Sequence, residues 1–112
     1  MISDVLGEVV MEKPRSGEYF ALEIKGVSMS PRMESGDVVV VKKQPNIESG
    51  EIAIVAINGD EATCKKVKYY HDGMEIIPLN PSYKPQFFSY EEVQTLPVTI
   101  IGKVVELRAK FE

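Results

Sequence analysis

Two side chains in this sequence could carry out acyl transfer together. Ser28 sits in the turn-like segment Gly26-Val27-Ser28-Met29-Ser30-Pro31, and Lys65 lies on a later, largely apolar stretch. A serine hydroxyl is a poor nucleophile until a base takes its proton. Lysine can be that base only in its neutral form, which burial favours by penalising the ammonium. Other chemistries find little material. His71 is the single histidine, in the turn His71-Asp72-Gly73, where a histidine is ordinarily just solvated. One histidine and one cysteine, Cys64, are too few ligands for a Cys/His zinc site, so no metal is expected. The sequence has no glycine-rich phosphate loop and no Ser-x-x-Lys motif, so no cofactor is expected either.

Lys65 and Lys66 compete for the role of base. Alternation along a strand puts Thr63, Lys65 and Val67 on one face and Cys64, Lys66 and Lys68 on the other. Lys66 and Lys68 read as a solvated face, and Lys65, between Thr63 and Val67, suits a desolvated amine better. Cys64 reads as a small buried hydrophobe and Met29 as core. On residue types alone the bland reading stays open. Most strand lysines are solvated, and a serine after glycine often caps a helical turn.

The elements that must position these residues are short strands. Phe20, Leu22 and Ile24 alternate with Ala21, Glu23 and Lys25, and Gly26 ends that run. Val38 to Val41 suits a strand buried on both faces. Glu51 to Ile57 and Glu61 to Tyr70 flank Asn58-Gly59-Asp60, a strong hairpin signal. Met74 to Leu79 is a further strand, and a proline-marked loop follows from Asn80 to Pro85. Glu91 to Leu96 reads as a short helical turn. Val98 to Leu107 is a long closing strand with Gly102 as a bulge or point of close approach. The fold class expected is mainly β, with curled, mostly antiparallel sheets and little helix. Residues 1–17 read as a loosely structured N-terminal arm, and residues 18–112 as the domain.

The chain is 112 residues long, which fits one domain with a packed core. Its formal net charge of −4 gives it no attraction to a phosphate backbone, so this domain is not expected to bind DNA itself. A single cysteine excludes an internal disulfide, and no apolar run is long enough to span a bilayer. A cytoplasmic location is expected.

Four blocks in order bring a resemblance into view. Gly26-Val27-Ser28-Met29-Ser30-Pro31 followed by Gly36-Asp37 resembles the G-x-S-M-x-P…G-D signature of the C-terminal domains of LexA, UmuD and prophage repressors. Gly50-Glu51-Ile52-Ala53 and Thr63-Cys64-Lys65-Lys66-Val67 resemble the family's second block, in which the first lysine is catalytic. Pro78-Leu79-Asn80-Pro81-Ser82-Tyr83 is similar to its P-x-N-x-x-Y region, and Ile101-Gly102-Lys103-Val104-Val105 to its closing strand. The resemblance implies a self-cleaving serine peptidase with Ser28 as nucleophile, Lys65 as general base and the backbone N–H groups of Val27 and Ser28 as oxyanion donors. It implies a homodimer, an activated recombinase filament as co-protease, and DNA binding only through an N-terminal helix-turn-helix absent from this chain. The family's usual scissile bond, Ala-Gly, does not occur here. A processed UmuD-like accessory subunit or a non-catalytic dimerisation module is the alternative reading.

Overall fold

The computed structural model describes the backbone of residues 5–9 and residues 18–59 and 62–109 in full. The strands are β1 (Val5–Val9), β2 (Tyr19–Lys25), β3 (Val38–Lys43), β4 (Ile52–Ile57), β5 (Thr63–Tyr70), β6 (Gly73–Ile77), β7 (Gln86–Ser89) and β8 (Val98–Arg108), with one helix, α1 (Tyr90–Thr95), before β8. They form one curled sheet in the order β1-β2-β3-β8-β4-β5-β6-β7. Every neighbouring pair is antiparallel. The mainly β expectation is met.

β8 joins the two halves of the sheet. Its later residues pair with β3 and its earlier residues with β4. The register slips where Ile54 and Val55 face Gly102 and Ile100, and again where Val40 and Val41 face Glu106 and Val104. Each slip leaves one β8 residue extra, and such bulges bend a strand and increase its twist. Gly102 is also the close-approach point anticipated from sequence. A Cβ there would lie 2.6 Å from the Lys42 carbonyl oxygen and 2.6 Å from Val41 Cγ1.

Both sheet faces are covered at the centre. One core gathers Ala53, Val55, Ile57, Val67, Met74, Ile76, Phe88, Val98 and Ile100, with Val93 and Leu96 of the helix segment packed on it. The other gathers Ile24, Met29, Met33, Val39, Val41, Ile54 and Cys64. Val39, Val40 and Val41 have no exposed surface, as a strand covered on both sides requires. The Asn58-Gly59 turn adopts positive φ at both residues, 54° and 74°, which matches the hairpin turn expected there. Ser89 caps α1 in a capping box with Glu92.

Two elements differ from the sequence reading. Val5–Val9, within the stretch read as a loose arm, forms β1 and pairs with β2 from Val5↔Lys25 to Val9↔Ala21. Its residues gain a ladder partner that mixed charge along the chain does not reveal. Gln86–Ser89, to which the sequence reading gave no element, forms β7 on β6. Four residues are too few to show alternation, and Pro85 just before them masks the signal.

Candidate functional site

Ser28 lies just beyond the end of β2. Gly26, at φ 96°, turns the chain out of the strand in a conformation that L side chains rarely adopt. Residues 27–36 then fold as a string of turns over the second core. The Val27 carbonyl accepts from Ser30 N–H at 3.0 Å and the Met29 carbonyl from Met33 N–H at 3.0 Å. Met29 and Met33 anchor the segment, with 0% and 3% exposure. Glu34 N–H donates to the Asp37 carboxylate at 2.9 Å, and the Asp37 carbonyl accepts from Ile24 N–H at 2.8 Å. The Gly36-Asp37 block thus closes the segment back onto β2. Ser28 itself is fully buried, while Val27 beside it is 48% exposed.

Lys65 is on β5, opposite Ala53 of β4. Thr63, Lys65 and Val67 share a face as alternation predicted, and all three are buried. Lys65 Nζ donates to Thr63 Oγ1 at 2.7 Å. Lys66 and Lys68 retain contact with water. Cys64 is buried too, because at this point the opposite face is covered by the Ser28 segment. Its Sγ lies 3.8 Å from Met33 Sδ. The Ser28 segment and the β5 segment therefore meet in one core: Met29, next to Ser28, and Cys64, next to Lys65, belong to the same buried cluster.

A third segment completes the neighbourhood. Leu79 N–H approaches Met29 Sδ at 3.3 Å. Asn80 N–H donates to the Ser28 carbonyl and Asn80 Nδ2 to the Val27 carbonyl, both at 2.9 Å. The Pro78–Tyr83 block stood out in the sequence, but these contacts join residues 50 to 53 positions apart and had no local signal. His71, by contrast, is exposed in its turn. Among the described residues no three His, Cys, Asp or Glu side chains cluster as a metal site, and no helix is long and apolar enough to cross a membrane.

A serine and a lysine with almost no exposed surface thus lie on segments that share a core. Residues 4–105 match the family described as Peptidase S24-like. The chain belongs to that family. The S24-like domain is similar to the LexA repressor of Oleidesulfovibrio alaskensis, at 37% identity over 105 residues, which is 91% of this chain and 48% of that protein. It is similar to the LexA repressor of Syntrophotalea carbinolica at 41% over 109 residues, covering 96% and 53% of the two chains. With the LexA repressor of Citrifermentans bemidjiense it shares 32% over 114 residues, covering 99% and 55%. The resemblance to LexA-like C-terminal domains is thus upheld. The S24-like domain spans about half the length of these relatives.

Proposed function

We propose that this domain hydrolyses a peptide bond of its own protein with Ser28 as nucleophile and Lys65 as general base. The observation that carries the reading is the joint burial of Ser28 and Lys65, at 0% and 4% exposure, in an S24-like domain. A lysine in such surroundings favours its neutral, proton-accepting form. Ser28 Oγ attacks the carbonyl carbon and its proton passes to Lys65 Nζ. The N–H groups of Val27 and Ser28 stabilise the oxyanion, a contribution of about 3–4 kcal/mol per donor in acyl transfer. The C–N bond breaks as Lys65 returns the proton to the leaving amine, and water then releases the acyl group.

Two features support a substrate from the same chain. A nucleophile without exposed surface is screened from foreign peptides. The register Val5↔Lys25 also brings the chain into β1 beside the strand end from which Gly26 turns toward Ser28. In this reading residues 18–112 are the peptidase and dimerisation domain and residues 1–17 the arm that follows the cleavage region. The whole protein is a LexA-like or prophage repressor of the cytoplasm, a homodimer that binds DNA through a helix-turn-helix preceding this domain and is triggered by an activated recombinase filament. Cutting the link between DNA-binding and dimerising parts lowers affinity for paired half-sites.

The test is a chain extended by its natural upstream residues, incubated at alkaline pH. Cleavage is expected to rise with pH as the lysine loses its proton, and to vanish in Ser28→Ala and Lys65→Ala. Cleavage persisting in either variant sinks the reading. A folded dimer that never cleaves at any pH leaves the non-catalytic dimerisation module in its place.

A further inference from the structure

Asn80 makes more contacts than its loop requires. Its Oδ1 accepts from Ser82 N–H at 2.9 Å and its carbonyl accepts from Tyr83 N–H at 3.0 Å. That is an Asx turn, which needs only an acceptor oxygen and which aspartate forms equally well. The amide nitrogen is what aspartate lacks, and in Asn80 it donates to the Val27 carbonyl at 2.9 Å. The backbone N–H of the same residue donates to the Ser28 carbonyl at 2.9 Å. One residue therefore grips the peptide units on both sides of the Ser28 side chain.

Peptide planarity turns these grips into direction. Among the described residues the cis bonds are Ser30-Pro31 and Leu96-Pro97, so the Val27–Ser28 and Ser28–Met29 units are trans. In a trans unit the C=O and the N–H point opposite ways. A Val27 carbonyl held toward Asn80 aims the Ser28 N–H away from it, and a held Ser28 carbonyl does the same for the Met29 N–H. Val27, with its side chain 48% exposed, has little packing of its own to fix that plane. The Ser30 N–H also bonds the Val27 carbonyl, at 3.0 Å, so the turn itself does not depend on Asn80.

We infer that Asn80 is a positioning residue for the peptidase reaction: it fixes the two peptide planes that aim the Ser28 oxyanion donor and from which Ser28 Oγ projects. The inference rests on the Ser28–Lys65 reading. Asn80→Asp targets it, because the variant keeps the turn acceptor and the backbone N–H but replaces the donor to Val27 with a carboxylate oxygen that repels the Val27 carbonyl.

The measurement is the rate at which a small fluorophosphonate labels Ser28 in this 112-residue chain, followed by intact mass and peptide mapping across pH. In that reaction the Oγ–P bond forms, the P–F bond breaks with loss of fluoride, and the hydroxyl proton passes to Lys65. The plateau rate is expected to fall about 10- to 100-fold in Asn80→Asp and Asn80→Ala, since misaimed donors and nucleophiles lose rate on that scale. The pH midpoint is expected to stay at its wild-type value in Asn80→Ala, which adds no charge beside the site. The Ser28 amide signal in a ¹H–¹⁵N spectrum is expected to move in whichever variant stays folded. Wild-type rates and an unmoved Ser28 amide in a folded Asn80 variant overturn the inference, with labelling still lost in Ser28→Ala and Lys65→Ala. Wild-type labelling that misses Ser28, or survives Lys65→Ala, overturns the Ser28–Lys65 reading and the Asn80 inference with it.

Discussion

Thr63 holds the amine of Lys65 with its hydroxyl, and both side chains are buried. Thr63→Val keeps the shape and removes the acceptor. Losing one hydrogen bond of a buried group costs about 0.5–1.5 kcal/mol, so the variant is expected to unfold at lower temperature and to cleave more slowly. Thr63→Ser should recover most of both. A melt and a cleavage time course on the three chains check this. Cys64, one residue on, has no exposed surface and lies against Met33. It is expected to resist a thiol reagent in the folded chain and to react fully once urea unfolds it. The spacing of the blocks singled out Ser28 and Lys65, and strand alternation put Lys65 rather than Lys66 on the buried face, where the structure has it. The grip of Thr63 on Lys65 was half legible, as a shared face. The grip of Asn80 on Val27 and Ser28 was not, because no local pattern encodes a contact between distant loops.

Among the elements, β8 carries a tight constraint at its bulge. A methyl group at Gly102 would meet the Lys42 carbonyl oxygen at 2.6 Å, and backbone cannot yield as a flexible side chain can. Gly102→Ala is expected to cost about 1–3 kcal/mol, the usual range for overpacking, read as a lower urea midpoint. The cap of α1 is a milder case. Ser89→Ala removes the acceptor for Glu92 N–H and is expected to cost about 1 kcal/mol. Sequence pattern marked β2, β3, β4, β5, β6 and β8, each an alternating or β-branched-rich run bounded by turn residues. It missed β7, whose adjacent Phe87 and Phe88 point to opposite faces, one exposed and one in the core.

For the molecule as a whole, stability against pH has one well-placed reporter. Glu51, just before β4, pairs with Lys103 of β8 at 2.6 Å across the join between the sheet halves. The hydrogen bond from Lys103 holds the Glu51 carboxyl below its ordinary value of 4.5, and the same bond raises the Lys103 amine above 10.5. The carboxylate's contribution is therefore complete above its unfolded value and fades as pH falls through the lowered one. The ammonium's contribution is complete below its unfolded value and fades as pH rises through the raised one. Both side chains keep solvent contact, so the effect is modest and weakened by salt. The stability gap between the wild-type chain and Glu51→Gln is expected to be steady near neutrality and to shrink in acid, as followed by urea unfolding from pH 3 to 7. What the sequence could not show at this scale was the strand order. The pairing of β3 and β4 with the last strand is decided by long-range closure.

That order makes β8 a seam. Without β8 the ladder parts into β1-β2-β3, whose second and third strands flank the Ser28 segment, and β4-β5-β6-β7, which carries Lys65. A substitution that loosens β8 is therefore expected to disturb how the two segments sit against each other without touching either one.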